Sequence, residues 1–525
     1  MASRLRPHAA PHDLVDRLTR IPLLSDSRVV IAEPGPDDIV LRPPWPRDHI
    51  QDVGAAVREA LAYPLAGKPL AELVTRGGTA TVVIEQPSLP IPTAQVGPRH
   101  EMIAAVCDEL ERLGAQRVTI LVAGGLFRRT TPREIGLLVP PEFRRRFKGR
   151  VLVHDAESED MADLGLTGNV TLRVNQALVE TDLVVTATAA ESVLNGGPAA
   201  LLSASGRDSL RAAGALSLLE TSASQGWRLA VEIERRLAER VAITGVSLVL
   251  NPPRVSGPFA GYPHDHAAVE RLLGSRARRI FQFAPGHVRQ RALERLPREQ
   301  TASAVFGGTP SVAHAEALLR GTVFKGIDLD EPVDALVIGI PPTTPFMPRE
   351  RPNPVSAAYL GLGLALRLWR NRPPIVPGGT AILVHPFQRR FPRPTQLPYR
   401  ALFFDPRTAG DIAAMRDAEA AAMNDARSIA DYRAGRACHP LQPFVEWSAC
   451  DASAHRLGAV LIAGCRDAHA ARQLGFVPVH GLGAALEMAR GRGAKRIGYL
   501  LAPPYVPIVV AEANRSPDAA DQSDA

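Results

Sequence analysis

From Thr79 onward the chain alternates short runs rich in β-branched residues with longer stretches of helical periodicity, the pattern of α/β layers on a largely parallel sheet. Thr79 to Glu85 (TATVVIE) predicts a strand, and a Pro-rich loop ends it. In His100 to Leu113 the residues Met102, Ile103, Val106, Leu110 and Leu113 share one face at helical spacing, which predicts an amphipathic helix. Arg117 to Val122 (RVTILV) predicts the next strand, ending at Gly124 and Gly125. Val151 to Val153 and Thr181 to Thr186 give two further strands, Trp227 to Arg240 a long charged helix, and Val246 to Leu250 a strand ending at Asn251.

The rhythm weakens between about Ala284 and Pro310 and then resumes. A second series of strands is predicted at Ala335 to Ile340, Thr380 to His385, Ala459 to Ala463 and Arg496 to Leu501, with helices at Ala409 to Arg433 and Gly483 to Gly491. The expected organisation is two α/β domains with largely parallel sheets facing each other across a cleft. A Pro-rich lead-in over 1–50 precedes a first domain over 51–285, and a crossing region over 286–310 leads to a second domain over 311–511. The remaining stretch, 512–525, has no apolar periodicity and predicts a disordered tail. The proline-dense loop from Pro341 to Pro354 follows a second-domain strand, which predicts that it faces the cleft, where ligands of open α/β sheets gather. A purely shape-giving role for those prolines is the simpler alternative. No solenoid-length repeat is present.

A length of 525 residues exceeds what one hydrophobic core usually serves, which agrees with two domains. The net charge of +7 is a modest excess over this length, so nucleic acid binding is not indicated. Arg144 to Arg146, Arg276 to Arg279 and Arg389 to Arg390 read as solvated surface, with steering of an anionic substrate as the other reading. The four cysteines, Cys107, Cys438, Cys450 and Cys465, have no zinc-ligand spacing and read as reduced, separately buried thiols. With no apolar run of membrane-spanning length and no signal-peptide core, a cytoplasmic protein without membrane contact is expected. No feature specifies an oligomeric state.

Four segments carry a family resemblance: Gln86-Pro-Ser-Leu-Pro-Ile-Pro92, Ala123-Gly-Gly-Leu-Phe-Arg128, Asn195-Gly-Gly-Pro-Ala199 and Gly257-Pro-Phe-Ala-Gly261. Their order and spacing resemble the nickel-dependent lactate racemase family over most of the chain, from about Leu41 to Val509. The strand Gly245 to Asn251 and the Pro377-Gly378-Gly379 strand entry resemble later landmarks of the same family. The resemblance implies two α/β domains and racemisation or epimerisation of a 2-hydroxy acid, in which a nickel pincer nucleotide takes hydride from the substrate carbon and returns it to the other face. It also places Ser88, Gly124, Gly125, Arg128, Gly196, Gly197 and Trp447 in the cofactor- or substrate-binding region. For Trp447, anchoring between elements is an equal alternative.

The reactive side chains of that family are missing. Leu89 stands at its arginine, Phe127 at its catalytic histidine and Ala199 at the lysine that tethers the cofactor. A phenylalanine transfers no proton. The loss survives any placement of gaps, because there is no histidine between Asp155 and Pro263 and no lysine between Gly149 and Phe324. A nickel ion needs imidazole or thiolate, and this interval supplies neither, so no metal site is expected.

Other constellations carry little chemistry. Asp265, in His264-Asp265-His266, predicts a helix cap flanked by exposed histidines, and His154, after a strand, predicts a structural hydrogen bond. His439 beside Cys438 does not make a metal site. Two functions therefore remain open. One is an enzyme acting on a small 2-hydroxy acid or related anion, with Arg128 on its carboxylate and Ser88 as a donor. The other is a non-catalytic relative that binds a small molecule, nucleotide or protein through the same cleft.

Overall fold

The computed structural model describes residues 19–89, 97–296, 298–343, 350–391, 394–404, 412–502 and 505–512. Pro90 to Pro92, residues 344–349 of the 341–354 loop and the C-terminal tail beyond 512 lie outside the described residues.

The chain begins with a hairpin, β1 (Ile21–Ser25) and β2 (Arg28–Ala32), then β3 (Ile39–Leu41) and helix α1 (Val53–Ala62). A first sheet follows, from β4 (Thr79–Glu85), β5 (Arg117–Ala123), β6 (Arg150–Val153), β9 (Leu183–Ala189) and β10 (Ala242–Leu250). A separate hairpin, β7 (Met161–Thr167) and β8 (Val170–Asn175), precedes β9. The sheet order is β11-β10-β9-β4-β5-β6, parallel throughout except at its edge, where β11 (Ala302–Gly308) runs antiparallel to β10.

A parallel sheet must be covered on both faces, so its strands alternate between two cores. Val82, Ile84, Ile120, Val122, Val185 and Val246 pack with Val57 of α1 and with Met102, Val106 and Leu110 of α2 (Pro98–Leu113). Val83, Leu121 and Val184 point the other way, toward Leu229, Ile233 and Leu237 of α3 (Gln225–Ala238). The buried face of α2 is the one its apolar spacing predicts, and Gly114, at φ 102, ends it by returning its N–H to Leu110.

The second sheet holds β12 (Val333–Gly339), β13 (Ile375–Val384), β14 (Ala459–Ala463), β15 (Val477–Val479) and β16 (Ile497–Leu500) in the order β15-β14-β13-β12-β16-β3. All its pairings are parallel.

Two segments are placed differently from the sequence-based domain limits. The lead-in supplies β3 to the second sheet, Ile39 to Leu41 pairing with Gly498 to Leu500, so it is built into a core. The crossing region contains β11, and helix α4 (Pro310–Lys325) packs beside it, so residues 302–325 lie with the first sheet. Both partnerships join residues remote in sequence, which periodicity cannot reveal. The single helix expected over Ala409 to Arg433 is two, α5 (Ile412–Met423) and α6 (Ala426–Arg433). Asp425 divides them by accepting a bond from the Arg427 N–H. Asp265 caps its helix as expected, but His264 is buried beside Trp45, their ring centroids 5.7 Å apart, and was not to be found on the surface.

The domains meet where α6 and the chain after it reach the segment following β5. The buried Tyr432 hydroxyl donates to the Gly125 carbonyl at 3.1 Å and accepts from the Ala156 N–H at 3.0 Å. His439 donates its backbone N–H to Leu126, while its ring meets Glu157 at 2.8 Å. Leu126, Ala156, Tyr432 and Leu441 form an apolar cluster around these bonds. Tyr432→Phe leaves two buried backbone groups unpaired while preserving the ring, so a loss of about 1–3 kcal/mol is expected in urea unfolding. An unchanged midpoint would show that the seam does not depend on the hydroxyl.

Candidate functional site

Four parallel strands of the first sheet, β4, β5, β9 and β10, end along one edge at Glu85, Ala123, Ala189 and Leu250. In open α/β sheets this carboxyl edge is where ligands collect. The loop after β4 brings Ser88 to Glu191, just beyond β9. Both the N–H and the hydroxyl of Ser88 donate to Glu191 Oε2, at 2.6 and 2.7 Å, and Arg99 Nη2 donates to Oε1 at 2.6 Å. Glu191 is only 6% exposed, so both its oxygens are matched inside the protein. Sequence reasoning selected Ser88 but missed Glu191 and Arg99. The available signal was a carboxylate directly after an apolar strand, in Thr186-Ala-Thr-Ala-Ala-Glu191.

Beside this clamp, Gly196 and Gly197 make a tight turn at φ 96 and 53. The Gly196 N–H donates to Glu85 Oε2 at 2.6 Å, and the Gly197 N–H to Thr188 Oγ1 at 2.8 Å. Only glycine fits, because a Cβ on either residue would lie 2.3 Å from the imidazole or Cβ of His314. His314, on α4, is wholly buried, with its ring nitrogens on Ser247 Oγ and the Ser192 carbonyl at 3.0 Å each. Burial pushes its imidazole down to about 4, so it sits neutral in this pocket. Burial pushes the Glu85 carboxyl up to about 7 against the bonds from Ser203 and Gly196.

The end of α4 delivers Lys325, the first lysine beyond the lysine-free interval. Burial lowers its ammonium to about 8, with Glu191 opposing that shift and Arg99 adding to it. Its Nζ folds back toward Gly321 near Val249 of β10.

The segment after β5 faces a different neighbour. Gly125, at φ 52, donates its N–H to Ser203 and gives its carbonyl to Tyr432, whereas Gly124 borders open space. Arg128 was expected to be available for a carboxylate. Instead its guanidinium is paired with Glu134 and donates to the Gly435 carbonyl at 3.2 Å, and only 16% of its side chain is exposed. Trp447 packs on Phe476 at 6.1 Å against the second-domain core, which agrees with the anchoring role. His154 bonds the Ser205 carbonyl and Asn175 at 2.9 and 3.1 Å, as a structural residue does.

A model of the lactate racemase N-terminal domain matches residues 37–194. That segment is similar to the lactate racemase N-terminal domain. Among solved structures, the lactate racemase apoprotein from Thermoanaerobacterium thermosaccharolyticum shares the fold, with a TM-score of 0.59 at 15% identity, over 94% of this chain and 100% of its own. A protein from Thermotoga maritima aligns at a TM-score of 0.50 and 9% identity, over 89% of this chain and 100% of its own. No curated protein matches the sequence.

The residues present do not fit the nickel pincer nucleotide that the resemblance implies. Ala199, at the tether position, is fully buried with Ala200 and Leu201 in the core beneath the sheet. Leu89, at the arginine position, is 7% exposed and packed into the apolar cluster of the second domain. His314, the imidazole nearest the glycine turn, has both nitrogens engaged. Among the described residues no group of three histidine, cysteine or acidic side chains is placed to hold a metal, and no helix is long and apolar enough to cross a membrane.

The raised Glu85 carboxyl has a consequence for stability. Its folded pKa, about 7, lies above the value near 4.5 of a free carboxyl, so the folded chain holds a proton that the unfolded chain has released. Its contribution is favourable below pH 4.5 and is lost as the pH rises through 7. Glu85→Gln keeps an acceptor for Gly196 without the charge. The variant should match the native chain near pH 5 and exceed it at pH 8 by roughly 1–3 kcal/mol in urea unfolding. Equal stability at both pH values would remove Glu85 as a proton-holding group.

Proposed function

We propose that this chain is a divergent lactate racemase-like protein that binds a small 2-hydroxy acid or related anion between its domains and does not racemise it through a nickel pincer nucleotide. The observation that carries this reading is the fate of the reactive positions: Ala199 and Leu89 are buried packing residues, and Phe127 replaces the proton-transferring imidazole. A lost side chain on an open surface would leave room for a substitute, whereas these positions are filled by the protein itself.

For the anion, Lys325 is favoured over Arg128 and Arg99, whose charges are taken up by Glu134 and Glu191. A ligand carboxylate approaching Glu191 would be repelled unless it met that ammonium first. A second reading, an enzyme that moves a proton without nickel, is favoured by Lys325 alone. An amine lowered to about 8 is partly neutral at physiological pH and can accept a proton.

Deuterium wash-in at C2 across a panel of 2-hydroxy acids, with and without added nickel pincer cofactor, separates these readings. The expected result is no wash-in, with saturable calorimetric binding of at least one acid that Lys325→Met weakens by about tenfold. Wash-in only with the cofactor, or a covalent nucleotide on the protein from its own host by native mass spectrometry, would overturn the proposal. Nickel-independent wash-in abolished by Lys325→Met would establish the second reading instead.

A further inference from the structure

The carboxyl edge of the second sheet carries a separate feature, independent of the reading above. Beyond Val384 of β13 and Ala463 of β14 the chain turns over one recess of about 680 Å3, open to solvent and walled by Gln388, Arg389, Arg390, Phe404, Arg466 and Asp467. This volume suits a small organic molecule. It also lies where ligands of parallel sheets bind.

The recess is shaped by an imposed backbone. Phe387 adopts φ 42, a left-handed conformation that an aromatic residue rarely takes. Its ring is fully buried, edge-on to His385 at 5.6 Å and to Phe476 at 6.1 Å, and its N–H donates to His385 Nδ1 at 3.1 Å. The turn held in this way sets Gln388, Arg389 and Arg390 along the wall. The facing loop is tied to it by the Arg466 N–H, which donates to the Pro386 carbonyl at 2.8 Å.

The charges in the recess do not balance. Asp467 accepts from Arg389 Nε at 2.6 Å and from the Ala470 N–H at 3.2 Å. Burial alone would raise its carboxyl, but these bonds and the Arg389 charge hold it below the usual carboxylate range, so it stays ionised and committed. Arg390 and Arg466 are exposed and have no ion-pair partner among the described residues. Arg289, buried with its guanidinium on the carbonyls of Ser27, Gln282 and Ala284, is lowered first by burial and then by Arg28, Arg351 and Arg466, with Asp26 opposing them. Gathering like charges disfavours the compact state, and a bound anion relieves it.

We propose that this recess binds the phosphate group of a small phosphorylated molecule, with Arg390 and Arg466 on the phosphate oxygens and Phe404 against the remainder. A single arginine suffices at the Asp467 carboxylate, whose Oδ2 takes Arg389 Nε while Oδ1 takes the Ala470 N–H. A phosphate has oxygens enough for two forks, and arginine matches that geometry. Phe404, 49% exposed with the Arg400 guanidinium 5.8 Å from its ring centroid, offers an apolar surface beside the charged end.

Calorimetry on the full chain at constant ionic strength tests this with inorganic phosphate, pyrophosphate, ribose 5-phosphate and adenosine diphosphate, and with citrate as a polycarboxylate control. At least one phosphorylated probe should bind saturably, and Arg390→Ala and Arg466→Ala should each weaken it about tenfold. Arg466→Lys, which keeps the charge without the fork, should weaken it less. Arg145→Ala, at an exposed arginine of the first domain, should leave it unchanged. Phe404→Ala separates the sources: it weakens adenosine diphosphate if a ring rests there and spares inorganic phosphate. Absence of saturable binding by all four probes, binding indifferent to Arg390→Ala and Arg466→Ala, or citrate binding as tightly as the best phosphate would overturn the proposal. None of these results bears on Lys325 or C2 exchange, so the two proposals fail separately.

Discussion

A carboxylate removed from water must be matched by donors, and Glu191 shows how much architecture that requirement fixes. Its two oxygens take the Ser88 N–H, the Ser88 hydroxyl and the Arg99 guanidinium. Three stretches of chain are therefore pinned to one point: the loop after β4, the start of α2 and the turn after β9. Removing one partner of such a buried pair typically costs about 3–5 kcal/mol, because the remaining charge has no water to return to. Beside it the Gly196–Gly197 turn is bonded to Glu85 and Thr188, and His314 to Ser247 and Ser192, so much of this edge is held by internal bonds.

The same edge carries the positions that the racemase resemblance marks. Losing a catalytic side chain can leave a frame otherwise unchanged, but here the replacements contribute to packing. Leu89 fills the apolar cluster of the opposite domain, and Ala199 lies in the core under the sheet. The segment carrying Phe127 is bonded to Tyr432 and His439 of the second domain. Buried side chains at these positions pack the two domains together.

Much of this was legible in the sequence where one stretch of chain decides the outcome alone. The strand Thr79–Glu85 and the strand Ala459–Ala463 have the bounds that their β-rich runs predict, and α2 buries the face that its spacing marks. The Asp265 cap and the bonded His154 follow equally local rules. Arg128 did not follow them. Its residue type suits an anion, but whether a guanidinium is available depends on Glu134 and Gly435, one of them more than three hundred positions away.

The sequence by itself determined the α/β class, the strand and helix faces, the racemase-like frame and the absence of its lysine and histidines, because each is a property of residue type and spacing. Tertiary structure decided which strands share a sheet, so that Ile39–Leu41 joins the second and Ala302–Gly308 the first. It also decided that Glu191, Arg99 and Lys325 share one edge while Arg390 and Arg466, on another, have no ion-pair partner among the described residues. Hydrogen bonds and charges act through distance in space, and only the folded chain sets those distances.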